Sequence, residues 1–341
     1  MIWQTWRQQR SSAAVAAVVL TGLVAALVVV GTIARDRARA AGAPGCLDSK
    51  ACDDAFNALH RDFHTIPPFI AALIAVPLLA GVFWAAPLIS REYEAGTHRL
   101  AWTQSISPLR WVLTKIALVF GVLVAAALGL GLLTTWTLDP LVGAFGGRYN
   151  TAWYDTQGIV PAACMVFALA VGVATSAVFR RTIPAMAVTL VAYAAARIPV
   201  HFVRMDFIGM TTRTFTTPMG SLLAQPLGAP TDAFAGRLEP GDWVQSTTLA
   251  DSFGHTVQPF AVNLAVVQQY CPRLPSRGAI PANIVRACRT RLDGVTLHET
   301  VRVQPALHFW LIQVVEAAIF VGAAAVLVTI AVLAVTRRRA V

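Results

Sequence analysis

GIVPAACMVFALAVGVATSAVFRRTIPAMAVTLVAYAAARIPV, residues 158–200, holds three charged residues, Arg180, Arg181 and Arg197. Its halves, Gly158–Phe179 and Ile183–Val200, approach the roughly 20 apolar residues a helix needs to cross a hydrocarbon core. Backbone amides in lipid must be satisfied within the segment, and neither half alternates as a barrel strand would, so both read as membrane helices. Only Arg180, Arg181 and Thr182 separate them, which predicts a tight antiparallel hairpin.

The same test applied outward finds four more runs: Ala13–Ala34, Ile66–Ile89, Ile116–Leu138 and Leu307–Val335. The composition agrees, with 56% hydrophobic and 13% charged residues and a mean hydropathy of +0.62. A soluble domain carries about 25% charged residues. The fold class expected is therefore an all-α integral membrane protein with six transmembrane helices. Arg7 and Arg10 precede the first run as in a secretory signal, but 22 apolar residues exceed a signal's hydrophobic region, which favours a retained span.

Basic residues stay on the cytoplasmic side of a membrane, so their placement orients the chain. With the N-terminus inside, the inner segments carry Arg7, Arg10, Arg91, Arg99, Arg110, Lys115, Arg180, Arg181, Arg337, Arg338 and Arg339 against Glu92 and Glu94 alone. The outer segments balance more closely: five basic against five acidic residues in 35–65, one against two in 139–157, nine against seven in 201–306. Nearly all of the +10 net charge thus lies on one face, a membrane-orientation pattern and not a nucleic-acid footprint. Both termini are expected in the cytoplasm.

The resulting plan is an interfacial N-terminal helix over 1–12, spans at 13–34, 66–89, 116–138, 158–179, 183–200 and 307–335, outer loops at 35–65 and 201–306, a cytoplasmic segment at 90–115 and a tail at 336–341. Cys46 and Cys52 share the first outer loop and Cys271 and Cys288 the last, while Cys164 sits alone in the fourth span. Local pairs Cys46–Cys52 and Cys271–Cys288 are what an oxidising compartment favours, against free thiols in the same loops. Pro67, Pro68, Pro77 and Pro87 predict a second span bent or broken near its middle.

No phosphate-binding loop, dinucleotide turn, nucleophile elbow or paired CxxC occurs, so no cofactor is expected on this chain. Asp53, Asp54, His60 and His64 form the most enzyme-like cluster, with His60 and His64 four apart on one helical face. No third ligand at a diagnostic spacing follows, which favours a solvated polar face over a metal site. Within the spans, Glu316 lies roughly 14 Å into the last helix at 1.5 Å per residue, where a carboxylate needs a partner, a proton or water. Arg197 is the nearest counter-charge in depth, and Gln313 shares the Glu316 face. Glu316 can pair with Arg197 or line a polar cavity; alternatively it caps a neighbouring helix or meets water while Arg197 snorkels to the headgroups.

Between the second and third spans lies SREYEAGTHRLAWTQSISPLRWVLTK, residues 90–115. Gly96-Thr97 reads as a helix break, residues 98–105 as a two-turn helix, and Ser107-Pro108 as an N-cap followed by proline at the first helical position. Ile106 and Trp111 then stand at the positions of a hydrophobic staple. This segment resembles the one between the second and third helices of ABC-type exporter permeases, above all an actinobacterial group with an acidic residue before Gly-Thr, then Thr-Gln, a basic residue and a Lys. QPALHFWLIQVVEAAIF, residues 304–320, is similar to that group's Gln-Pro, Phe-Trp, Gln and Glu pattern, with His308 where a basic residue is expected.

The resemblance implies a type V exporter half-transporter in a bacterial plasma membrane, with a coupling helix between the second and third spans. It implies partner ATPase subunits that carry ATP and Mg, a homodimer or a paired permease half, a lipid bilayer as surroundings and no nucleic acid. Arg91, Glu92, Glu94, Gly96, Thr97 and Arg99 would form the ATPase-coupling region, and Arg197, Gln313 and Glu316 an intramembrane polar group near the pathway. The function implied is ATP-driven export of a hydrophobic or amphipathic solute by a chain that is not itself an enzyme. Two rival readings are a sensor or assembly factor acting through 201–306, and a membrane hydrolase built on Asp53, Asp54, His60 and His64. Mass spectrometry of unreduced peptides is expected to recover Cys46–Cys52 and Cys271–Cys288 as linked pairs; free thiols at these positions would remove the assignment of their loops to an oxidising side.

Overall fold

Among the described residues of the computed structural model, six helical stretches are long and apolar enough to cross a membrane: Ala14–Ala40, Ile66–Glu94, Leu109–Leu141, Val160–Phe179, Thr182–Asp206 and Ala306–Thr336. They match the six runs read from the sequence. The structure describes residues 2–43, 49–96, 107–150, 153–218, 241–251, 256–257, 286–287 and 296–337. Two units divide it, Met1–Phe207 with Phe309–Val341, and Ile208–His308.

In the first unit, α1 (Ile2–Ala40) is one unbroken helix. At 1.5 Å per residue it is about 58 Å long, well beyond a hydrocarbon core of about 30 Å. Residues 2–12, expected as a separate interfacial helix, therefore continue into the span without a break. Amphipathic α2 (Ser49–Phe63) lays Leu59 and Phe63 against Ala34, Ala38, Leu138, Leu141 and Trp153.

The second span is broken where its prolines remove hydrogen-bond donors. It consists of α3 (Ile66–Ala72), α4 (Ala75–Ala80), a π-helical turn Gly81–Ala85 and α5 (Ala86–Glu94). Pro77 offers no N–H to the carbonyl of Leu73, which accepts from the Val76 amide at 3.0 Å instead. Pro87 offers none to Phe83, and the turn before it widens so that the Ala86 N–H donates to Gly81, five residues back. Both irregularities thus sit one turn N-terminal to a proline, as expected of proline-induced breaks.

After α5 the chain passes Gly96, whose φ is +70°, a left-handed conformation that ends a helix most readily at glycine. Helix α6 (Pro108–Leu138) begins with Ser107 in extended backbone, its hydroxyl accepting from the Arg110 N–H at 3.3 Å. Trp111 and Val112 are buried against Leu88, Ile89, Leu169 and Val173. Residues 97–106, including Ile106, Thr97 and Arg99, lie outside the described residues.

Helix α7 (Val160–Phe179) is the centre of the bundle. All but a few of its residues are buried, and α4, the π turn, α5, α6, α8 (Thr182–Val203) and α9 (Phe309–Arg337) all pack on it. Small residues make this possible. A Cβ on Gly172 would stand 2.6 Å from the Gly81 carbonyl oxygen and 2.9 Å from the Ala86 amide nitrogen, and one on Gly81 would stand 2.7 Å from the Ala168 oxygen. The widened turn and α7 therefore touch backbone to backbone.

The second unit holds strands β1 (Thr211–Pro218), β2 (Trp243–Asp251), β3 (Thr256–Val257) and β4 (Thr296–Gln304) in the spatial order β1-β4-β2-β3, with every described pairing antiparallel. The all-α expectation fits the mostly helical chain, but the segment treated as a loop contains this sheet. Val301 and Val303 are buried while Arg302 between them is exposed, the alternation of a half-buried strand.

Replacing Gly172 with alanine is expected to lower stability by about 1–3 kcal/mol, since the added methyl meets backbone that cannot yield. Gly322→Ala, where nothing lies within 4 Å, is expected to shift it by less than about 0.5 kcal/mol. Denaturation midpoints in detergent check both, and equal effects would refute the close-packing reading.

Candidate functional site

The turn that feeds α7 is tied from two sides. Gly158 (φ +62°) lies so close to its neighbours that a Cβ there would stand 1.9 Å from Gln313 Oε1. From α6, the Gly131 carbonyl accepts the Gly158 N–H at 3.0 Å and the Thr135 hydroxyl accepts it at 2.8 Å. The Thr134 hydroxyl donates to the Thr156 carbonyl. From α9, Gln313 accepts the Ile159 N–H at 2.9 Å and donates to the Gln157 carbonyl at 3.1 Å.

Held this way, the turn points Asp155 into a cluster of cations. Arg197 of α8 donates to Asp155 through Nη2 and to Glu316 of α9 through Nη1, the latter at 2.7 Å. Arg204, in the short 3₁₀ turn after α8, donates to the same Asp155 oxygen as Arg197. His201 Nδ1 lies 3.1 Å from the other one. Glu316 and Gln313 are 0% exposed and Arg204 1%. The Arg204 guanidinium also lies 4.2 Å from the Tyr154 ring centre, a cation–π contact.

Two carboxylates and two guanidiniums leave this group neutral before His201 is counted. Neutrality matters because an uncompensated charge in a low dielectric costs several kcal/mol. Burial pushes the Asp155 carboxyl up, but the hydrogen bond to His201 and the charges of Arg197 and Arg204 outweigh it and hold the group below its ordinary 3.8. Burial, followed by the neighbouring Glu316 charge, pushes the Tyr154 phenol well above its ordinary value.

Beside the cluster lies a cavity of about 30 Å3 lined by Leu73, Pro77, Thr134, Asp155, Tyr193 and Arg197 among others. It has room for about two waters, far less than a drug-sized ligand needs.

At the other end of α8, both acidic residues of the 90–115 segment bond to other spans, Glu94 from an exposed position and Glu92 from a half-buried one. Glu94 accepts the Thr182 N–H through Oε1 at 2.9 Å and the Thr182 hydroxyl through Oε2 at 2.7 Å. Ser90 supports the same contact. Its N–H donates to Ser176 Oγ at 2.7 Å, and its hydroxyl lies 3.0 Å from that of Thr182. Glu92 pairs with Lys115 of α6, whose ammonium also lies 4.7 Å from the Trp111 ring. Arg91 is exposed.

The structure therefore brings together Arg197 and Glu316, and sets Gln313 one turn away on the backbone of 157–159. Asp155, His201 and Arg204 were counted with the outer loops and missed as members of the cluster. Their signal was local: Asp155 follows Trp153-Tyr154 directly before an apolar run, and His201 and Arg204 continue the helical face of Arg197 at spacings of four and three. His60 Nδ1 meets the Ala144 carbonyl at 3.1 Å and His64 Nδ1 the Arg61 carbonyl at 2.8 Å. No group of residues able to hold a metal occurs among those described. Cys164 is a buried free thiol and Cys52 is disulfide-bonded, whereas Cys46, Cys271 and Cys288 lie outside the described residues.

Asp155→Ala strands Arg197 and Arg204 and is expected to cost about 3–5 kcal/mol, as for removal of one partner from a buried ion pair. Because the folded value of Asp155 is depressed, its contribution is complete above 3.8 and is lost as pH falls through the lower folded value. Melting curves in detergent should show a gap between wild type and Asp155→Asn that is constant from pH 7 to pH 5 and closes on further acidification. A gap independent of pH would contradict the ionised assignment.

Comparison with curated proteins and with solved structures finds no match to either. A family of proteins described as ABC-2 membrane transporter related matches residues 17–204. The match runs from the first span to the Arg204 that closes the ion cluster and covers more than half of the chain. The chain belongs to the ABC-2 membrane transporter related family.

Proposed function

We propose that this chain is the permease half of a type V ABC exporter, moving a hydrophobic or amphipathic solute outward with ATP hydrolysed on separate ATPase subunits. The family match over residues 17–204 carries this reading, since ABC-2 permeases in general pair with an ABC ATPase. ATP and Mg belong to those partners, and the chain alone is not an enzyme. The charge asymmetry supports a bacterial plasma-membrane orientation with both termini in the cytoplasm.

Under this proposal six spans bound only half of a pathway, which a second copy or a related half completes. In this reading Arg197, Gln313 and Glu316 hold the wall of the pathway together from behind. Arg91, Glu92, Glu94, Gly96, Thr97 and Arg99 remain the region through which the ATPase acts. The bonds of Glu92 to Lys115 and of Glu94 to Thr182 mean that reversing both charges would disturb contacts between spans as well as coupling, so neutral single substitutions are the better probes.

Co-expression with an ABC ATPase tests the proposal. The two chains are expected to purify together in detergent, and proteoliposomes holding both to move a fluorescent amphiphile only with ATP and Mg present. The permease alone is expected to hydrolyse no ATP. A chain that purifies without any ATPase and transports nothing would favour the sensor reading centred on 201–306.

A further inference from the structure

Helix α8 begins without a cap of its own. Its N-cap residue, Arg181, is extended and contributes no side-chain hydrogen bond, although Ser, Thr, Asp or Asn ordinarily serves there. The donor at Thr182 is satisfied instead by Glu94, from the last turn of α5. A carboxylate at this place meets both an unpaired amide and the positive end of the helix dipole. Glu94 engages the hydroxyl of the same residue, so two oxygens of one side chain fix one residue of another span.

From this we infer that Glu94 is a positioning residue that ties α5 to α8 and carries motion of the 90–115 segment to α8, and through it to the Asp155 cluster. The inference rests on the exporter reading for the origin of that motion. It differs from the family-implied role of Glu94 as a surface contact of the ATPase. Three features support the tie. Glu94 stands two residues before Gly96, where α5 has ended, so displacement of the following chain acts on it at once. Ser90, one turn earlier on α5, repeats the attachment to Ser176 and Thr182 on either side of the α7–α8 turn. Thr182 and Arg197 lie on one continuous helix, roughly 22 Å apart at 1.5 Å per residue, and Arg197 reaches both Asp155 and Glu316.

The test separates the tie from simple helix capping. Glu94→Gln removes the charge and leaves a single acceptor. Arg181→Ser supplies α8 with a cap from its own chain, accepting from the Ile183 N–H since Pro184 has none, but no link to α5. Each variant and the double variant are compared for co-purification with the ATPase, amide exchange of the peptide around Thr182, and solute moved per ATP hydrolysed.

Glu94→Gln is expected to co-purify normally, exchange faster at Thr182 and lose about tenfold in transport per ATP, within the range of single-site effects on coupling. Arg181→Ser alone should retain wild-type coupling. The double variant is expected to leave the Thr182 amide exposed, gain protection at the Ile183 amide, which an N-cap serine can reach, and remain uncoupled. Recovery of transport in the double variant would reduce Glu94 to a cap and overturn the inference, as would loss of ATPase binding in Glu94→Gln with protection at Thr182 intact. If the wild-type chain binds no ATPase, the exporter reading fails, whereas unchanged exchange in Glu94→Gln on the isolated permease removes the tie itself.

Discussion

The fold depends on keeping one carboxylate charged inside an apolar bundle. Asp155 enters on a single 3₁₀ turn, Tyr154–Thr156, and a bare carboxylate buried there would be costly. The cost is offset by bringing Arg197, Arg204 and His201 to it and by adding Glu316 from α9 to balance the second guanidinium. The five residues come from four stretches of chain: the turn before α7, the end of α8 with both Arg197 and His201, the 3₁₀ turn beyond it, and α9. These ion pairs therefore link the last span, which follows after more than a hundred residues, to the fifth span and to the turn before the fourth.

Gly158 and Gln313 show how closely backbone and charge depend on one another. The turn can point Asp155 inward only if its own amides are satisfied, and α6 and α9 satisfy them with Gly131, Thr135 and Gln313. The left-handed conformation at Gly158 places its amide toward α6 while Gln313 passes over the missing Cβ. Around the same helix, Gly81, Ala85, Ala168 and Gly172 let the π turn approach α7 backbone to backbone. Proline sets where the second span breaks, and small residues set how closely the broken helix packs.

Much of this was legible in the residues. Six spans, the breaks imposed by Pro77 and Pro87, the Ser107 cap and the proximity of Arg197 to Glu316 follow from apolar run length, the missing proline N–H, local capping chemistry and depth in the membrane. Asp155 escaped because run length assigns a residue to a span or a loop and does not distinguish a solvated loop from a turn folded back into the bundle. Arg204 was assigned to the outer segment because the apolar run ends at Val200, whereas the helix continues to Val203. The sheet was legible in principle from the alternation at Val301, Arg302 and Val303, but it lay in a segment read for length and charge. Glu94 shows another limit: a sequence can reveal that a helix lacks its own cap, but not which distant side chain supplies one.

The two polar attachments of α8 differ in a way that bears on movement. The Asp155 cluster is buried and mutually compensated, so opening it would expose charge to an apolar interior. The Glu94–Thr182 contact lies at the surface, where water can replace each hydrogen bond at little net cost. A displacement applied along α8 is therefore resisted more strongly at the cluster than at the cap. While the Glu94 contact holds, α5 and α8 shift together on their exposed end and the buried end acts as a pivot. Such a hinge would convert a small displacement beside Gly96 into a change in tilt of the second and fifth spans without separating the ions that hold the bundle closed.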